Sequence, residues 1–359
     1  MKIIIIDTSI PINTRNVKYV DSLKESLPKA DIKVITWRRD DFQMEIPDYY
    51  FVYEEPAEYG NPWKKLAKMF GFSRFVQKVL KDESPDVIIS SHWESLLCTP
   101  YNLPNSPLII YENLDVPTGG VVVRGITRYL ELKKLKKVDL IVHASRFFKE
   151  LYPETIPQII LENKSKFSFE AIPHEHHEHT VVSYIGTVRY RDIMSNFILG
   201  ASLVNNVKVE IFGDGQDLDY LKRKFGELKN VRFHGTYSFS DIPALYSKSD
   251  IVWAAYPNKD YNVVYAISNK FHESMMCGVP CIYANKTNLG EFVEKEGLGF
   301  VVDPYSVEEI KAIVTKIANK EIDLTPYRQR LAAQRNSLTT WDEDFKKVVD
   351  FIVSHKRYE

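Results

Sequence analysis

Short apolar runs alternate with helical patterns along this chain in two successive series, and few folds accept that rhythm. In the first half the predicted strands are Lys2 to Ile6, Ile32 to Thr36, Val87 to Ser90, Leu108 to Tyr111 and Leu140 to His143. Thr14 to Ser26 places Val17, Val20, Leu23 and, just beyond, Leu27 at helical spacing, and Arg128 to Lys137 reads as a basic helix. In the second half, strands are predicted at Val181 to Ile185, Val207 to Phe212, Val231 to His234, Ile251 to Tyr256, Cys281 to Tyr283 and Phe300 to Val302. Helices fall around Ile193 to Leu203, Asp217 to Phe225 and Ile242 to Tyr246. Apolar strands separated by helices are the signature of parallel sheets covered on both faces, so each half reads as a Rossmann-like, doubly wound α/β domain.

At 359 residues the chain exceeds what one core usually supports, which also argues for two domains. Glu162 to Thr180 is polar, contains Pro173 and lacks periodicity, and the boundary is placed there. The expected division is 1–165, 166–335 and a terminal helical segment, 336–359, in which Trp341, Phe345, Val348 and Ile352 share one face. Ligands of open α/β sheets bind beyond the carboxyl ends of strands, so two such domains facing a central cleft would hold substrates between them.

Charge and cysteine usage narrow the function classes. Forty-seven basic against 48 acidic residues give a net charge of -1, which offers no whole-molecule attraction to nucleic acid or membrane, so any basic surface must be local. Cys98, Cys277 and Cys281 have neither metal-ligand nor framework spacing and fit a reducing cytoplasm. The opening Met1 to Asp7 is too short for a secretory signal, and no run is long enough to span a bilayer. Asn61 to Lys81 carries six basic residues and no acid among Trp63, Leu66, Met69, Phe70, Phe72, Phe75 and Val79. It fits either a helix packed on the first domain or peripheral contact with an anionic membrane, at the cytoplasmic face. His174, His176, His177 and His179 cluster in the polar boundary, where a solvated linker is the simpler reading than a zinc site.

The chemistry concentrates in Ser268-Asn269-Lys270-Phe271-His272-Glu273-Ser274-Met275-Met276-Cys277-Gly278-Val279-Pro280. Ser268 or Asn269 caps a helix that Gly278 and Pro280 close. Asn269, Lys270 and Glu273 share one face while Phe271 and Met275 point toward a core. Free N–H groups at the helix start and the Lys270 ammonium suit a diphosphate, and Glu273 suits vicinal hydroxyls. The plain alternative is a surface helix with a Lys270–Glu273 ion pair. Gly186-Thr187-Val188-Arg189-Tyr190-Arg191 follows a strand and offers close backbone approach, a hydroxyl and a guanidinium from Arg189 or Arg191. Gly213-Asp214-Gly215 and Gly235-Thr236-Tyr237 follow the next two strands, where Tyr237 can stack on a base or simply pack.

The run Ser268 to Pro280 resembles the carboxy-terminal half of GT-B glycosyltransferases, notably the retaining group called family 4. That resemblance implies a GT-B fold, an amino-terminal acceptor domain, a carboxy-terminal nucleotide-sugar domain and no metal cofactor. It implies a glycosyltransferase moving a sugar from a nucleotide-sugar donor, a UDP-sugar, to a glycan or lipid-linked glycan hydroxyl with retention. Phosphate and ribose contacts then fall to Gly186, Thr187, Arg189, Arg191, Gly213, Asp214, Tyr237, Ser268, Asn269, Lys270 and Glu273. His92, Glu112 and Asp115, after strands of the first domain, lie where relatives place a histidine or carboxylate beside the reacting hydroxyls; a structural hydrogen bond is the alternative for each. Two departures concern the sugar. Tyr265 stands where the family's pattern has a first glutamate, and Asp7 to Ile12 lacks a glycine pair. An epimerase or phosphorylase on the same fold, or a non-catalytic partner of another transferase, are the competing readings.

Overall fold

The computed structural model describes residues 1–39, 44–56, 62–100, 102–166, 173–175 and 177–355, with residues 62–67 described by backbone alone. The chain divides into two compact units: Met1–Asn163 with Trp341–Glu359, and Lys164–Thr340. Among the described residues the first unit holds seven strands, β1 (Lys2–Ile6), β2 (Asp31–Arg38), β3 (Tyr50–Glu54), β4 (Val87–Ser91), β5 (Leu108–Asn113), β6 (Leu140–His143) and β7 (Gln158–Ile160). They form one parallel sheet in the order β3-β2-β1-β4-β5-β6-β7. The second unit holds β8 (Thr180–Ile185), β9 (Val207–Phe212), β10 (Val231–Gly235), β11 (Ile251–Trp253), β12 (Cys281–Ala284) and β13 (Gly299–Val302), all parallel in the order β10-β9-β8-β11-β12-β13. Both sheets are doubly wound α/β, as the alternation of apolar runs predicts.

The opening isoleucines show why these strands are apolar throughout. Alternate residues of a strand face opposite sides of the sheet. Ile3 and Ile5 join a core with Tyr19, Val20 and Leu23 of the helix Thr14–Ser26, while Ile4 and Ile6 join another with Phe72, Val76 and Leu80 of the helix Pro62–Glu83. Helices cover both faces, so neither face tolerates a polar side chain. The helix Trp341–Ser354 packs on the first of these layers: Trp341 and Phe345 are fully buried against Tyr19, and the indole N–H donates to Ser22 Oγ at 3.0 Å.

Several sequence expectations change here. β11 ends at Trp253 rather than Tyr256, which frees 254–260 to form a loop. The helix read from Arg128 begins at Val121 and runs to Lys134, because three β-branched valines after Gly119-Gly120 disguise its start. In the helix Pro62–Glu83 the apolar residues Phe72, Val76, Val79 and Leu80 are buried in the unit's core, whereas Phe70 is exposed beside Arg74. Its described apolar side is therefore taken up by packing. The start of the segment, Asn61 and the side chains of 62–67, lies outside the described residues. His174 is no solvated linker residue: its Nε2 lies 3.0 Å from Asp250 and 3.0 Å from the Arg328 guanidinium. His176 lies outside the described residues, and among the described ones no group of side chains is arranged to hold a metal. No described helix is long and apolar enough to cross a membrane.

Candidate functional site

In each sheet the strand order reverses beside the first strand of its unit, and such switch points leave a crevice at the carboxyl ends of the strands. In the second unit the reversal lies between β8 and β11, and the residues just past those strands converge there. Gly186 follows β8, Gly213 follows β9, Gly235 follows β10, and Tyr256 follows β11 on its loop. The helix Asn269–Cys277 connects onward to β12. Ser268 is its N-cap, accepting from the Lys270 N–H at 3.2 Å, and Gly278 closes it in the left-handed conformation at φ +71°. Phe271 and Met275 point into the core as their spacing predicts.

Lys270 is the centre of the arrangement. It is only 5% exposed, yet its ammonium makes no ion pair with a carboxylate. Its Nζ donates to Tyr256 Oη at 3.1 Å and lies 4.7 Å from the centre of the Tyr184 ring. A Cβ placed on Gly186 would stand 2.7 Å from that Nζ, so a larger residue there would displace the ammonium. Burial pulls the lysine pKa down, but the Tyr256 and Tyr184 oxygens and the Glu273 carboxylate outweigh it and hold the ammonium above its ordinary value. Tyr256 responds in the opposite sense: burial pushes the phenol up, while Lys270, Ser268 and Arg189 together bring it below the usual tyrosine value. The surface Lys270–Glu273 ion pair considered from sequence does not form.

Glu273, one turn on, is largely screened from water and accepts a hydrogen bond from Tyr246 Oη at 2.9 Å. Burial pushes its carboxyl above the usual range, against the opposing pull of Lys270 and Tyr246. A carboxyl whose folded pKa exceeds its unfolded one favours folding below the unfolded value and loses that contribution as pH rises through the folded value. The ionised acceptor is thus present only above a pH higher than ordinary for glutamate. Nucleotide-sugar affinity is expected to weaken on acidification in that window. Glu273→Gln should lower affinity about ten- to hundredfold at neutral pH and flatten the profile. Titration calorimetry across mildly acidic to neutral pH checks both; an unchanged profile in the variant removes Glu273 from the site.

The backbone around these side chains is interlocked. Gly186 N donates to Phe212 O at 2.9 Å, Val188 N to Asp214 O at 2.9 Å, and Gly213 N to Gly235 O at 2.6 Å. Three strand ends are thereby joined into one floor.

The predicted residues distribute unevenly. Arg189 is exposed, its guanidinium 4.9 Å from the Tyr190 ring centre, without a carboxylate partner and close enough to act on Tyr184 and Tyr256. Arg191 is engaged elsewhere: it bonds Asp217 at 3.2 Å and lies over Tyr220, which explains why the shorter reach falls to Arg189. Thr187 and Asn269 are exposed at the rim, and Asp214 caps its own loop by accepting from Gly215 N at 2.7 Å. Tyr237 feels both Glu273 and Lys270, with burial the larger cause of its raised pKa.

In the first unit, His92 opens the helix His92–Cys98 at φ +72° with its ring against Trp93, and Asp115 lies in the loop after β5. Of the two readings of Glu112 the structural one holds: it is fully buried and ion-paired with Arg15 at 2.6 Å. The tyrosines Tyr184, Tyr246 and Tyr256 are the functional neighbours that sequence reasoning missed. Their one signal is a phenol in an apolar strand or helix, which must find a polar partner once buried.

Residues 179–320 match the family model described as Glycosyl transferases group 1. No curated protein sequence matches the chain. Among solved structures it is similar to sucrose-phosphate synthase from Thermosynechococcus elongatus, with TM-score 0.73 and 13% identity over 99% of this chain and 98% of the other. It is also similar to Anabaena HepE in complex with UDP, with TM-score 0.69 and 14% identity over 99% and 100%. WaaG, a glycosyltransferase involved in lipopolysaccharide biosynthesis, gives TM-score 0.68 and 14% identity over 98% and 99%. The fold is GT-B. The match to the group 1 glycosyltransferase model lies within the second unit.

Proposed function

We propose that this enzyme transfers a sugar from a UDP-sugar to a hydroxyl of a glycan or lipid-linked glycan, with retention of anomeric configuration. The observation that carries the reading is the buried Lys270 ammonium, which donates to a phenol, lies over an aromatic face and stands beside a glycine, with no carboxylate in direct contact among the described residues. An ammonium held at the start of a helix without a direct ion pair is suited to receive a diphosphate. Lys270 and Arg189 neutralise the diphosphate as negative charge grows on the leaving group. The helix start at Ser268 and Asn269, with the Thr187 hydroxyl, contacts the phosphate oxygens. Gly186 and Gly213 admit the phosphates close to the backbone, Glu273 accepts from the ribose hydroxyls, and Tyr237 lies beside the base.

These cations make a divalent metal unnecessary for leaving-group departure, so chelator should leave turnover unchanged. Uridine is favoured because HepE, a structural relative, has been solved with UDP, with UDP and glucose, and with UDP-glucose. By the likeness to GT-B enzymes the first unit is the acceptor domain, and His92 and Asp115 are its candidates for the acceptor hydroxyl. Retention follows from the likeness to family 4, in which the departing phosphate itself takes the acceptor proton.

Calorimetry with UDP, GDP and their sugars is the direct test. UDP and a UDP-sugar are expected to bind; binding of no nucleotide at all would favour a non-catalytic partner of another transferase, a reading to which Tyr265 in place of a carboxylate lends some weight. Turnover of the donor without acceptor would indicate an epimerase, and the anomeric configuration of the product, read by NMR, decides retention.

A further inference from the structure

The helix Val121–Lys134 is built inside out. A surface helix normally turns its apolar stripe to the core and its charges to water. Here Glu131 faces inward: it is fully buried, accepting from Tyr111 Oη at 2.7 Å, Tyr152 Oη at 2.6 Å and the Arg128 guanidinium at 2.6 Å. Lys134, on the same inner side, donates to the Thr99 carbonyl. The apolar residues point the other way. Val121 is 76% exposed, Val122 73% and Tyr129 65%, with Val123, Ile126 and Leu130 also standing in solvent. At 100° per residue these six occupy one broad arc.

The same arc ends in cations. Lys133, and Lys136 and Lys137 of the following turn Leu135–Lys137, are exposed on it. The one carboxylate between 121 and 137 is the buried Glu131, so the outward face carries apolar and positive groups without a negative one. Contiguous exposed apolar surface of this kind marks an interaction site.

We infer that the exposed face of the helix Val121–Lys134, with the lysines that follow it, docks this chain on an anionic lipid surface. The apolar arc enters the boundary between headgroups and acyl chains, and Lys133, Lys136 and Lys137 meet lipid phosphates. Charge selects this occupant over a second copy of the chain. A copy brings the same lysines and no carboxylate, so the cations would be covered without a counter-charge. The inference is independent of the glycosyl-transfer reading, because it uses no residue of the second unit.

Sedimentation of the full chain with vesicles of phosphatidylcholine, alone or mixed equally with phosphatidylglycerol, tests it. Binding to the mixed vesicles is expected to be at least about tenfold stronger and to weaken with added salt. The double variant Val122→Asp/Ile126→Asp should lose at least about tenfold in binding with an unchanged thermal midpoint, since both side chains are already in water. Lys133→Glu/Lys136→Glu should abolish the preference for phosphatidylglycerol. Equal binding to both vesicles, or binding that the aspartates leave intact, overturns the inference. So does a concentration-dependent dimer that the aspartates disperse, which would assign the face to a second copy.

Discussion

Replacing Lys270 with methionine is expected to lower kcat/KM about 10²- to 10³-fold while leaving the thermal midpoint close to that of the natural chain. The two halves of this result have one cause. Lys270 is buried with its ammonium against Tyr256 and Tyr184 and makes no direct ion pair, and those oxygens together with the more distant Glu273 carboxylate offset the cost of desolvating it. Methionine fills nearly the same volume and removes both the cost and its offset. What disappears is the positive charge aimed at the leaving diphosphate, an interaction that strengthens as the glycosidic bond breaks and so counts most in the transition state. Steady-state kinetics with a UDP-sugar and differential scanning calorimetry on the same preparations read both quantities. A variant that loses stability together with activity would show that Lys270 holds the fold, and the diphosphate assignment would fall.

Tyr256 explains how the charge is kept ready. Its hydroxyl, which also interacts with Ser268, receives the Lys270 hydrogen bond, so the ammonium has a fixed direction before any ligand arrives. Glu273 is held in the same way by Tyr246. Pre-set orientation of this kind avoids reorganisation during reaction, which is where much of the benefit of an enclosed charged site arises. Lys270 and Glu273 thus lie on one helix, and the tyrosines that aim them come from β8, from the loop after β11 and from the helix Ile242–Ser247.

How much of this could be read from the chain alone differs by element. β1 matches its apolar run residue for residue because both its faces are buried, and β9 matches because Val207, Val209 and Ile211 alternate cleanly toward the core while the residues between them are partly buried. β3 and β7 were not recognised: one is a short edge strand of tyrosines and phenylalanine with only partial burial, and the other has three residues. Edge strands bury less, so their pattern is weaker. The helix cap at Ser268 and its end at Gly278 were legible because capping chemistry is local. The burial of Lys270 was not, since it depends on Tyr184 and Tyr256, which are 86 and 14 residues away in sequence. Glu112 stayed open between two roles for the same reason: a carboxylate at a strand end can react or pair, and its partner Arg15 stands 97 residues earlier. Long-range pairing of polar groups is the information that periodicity lacks.

Gly213→Ala is the second large effect, and it acts through the backbone. At φ +129° Gly213 occupies a conformation unfavourable for alanine, which alone costs about 1–3 kcal/mol. A Cβ there would also stand 1.8 Å from the carbonyl oxygen of Gly186, a backbone atom that cannot swing aside as a side chain would. Relieving that overlap requires the loops after β8 and β9 to separate, breaking the bond from Gly186 N to Phe212 O and moving Gly186 away from the Lys270 ammonium. Overpacking of this sort adds about 1–3 kcal/mol, for a total of roughly 2–6 kcal/mol. Gly278→Ala provides the control: its φ of +71° is also positive, but a Cβ there meets nothing within 4 Å, so only the conformational cost of about 1–2 kcal/mol applies. The thermal midpoint should therefore fall much further for Gly213→Ala than for Gly278→Ala, and UDP affinity should fall with it only in the first variant. Equal losses at the two positions would mean that the loops after β8 and β9 are free to part, and that the interlocked floor under Lys270 is not what sets its position.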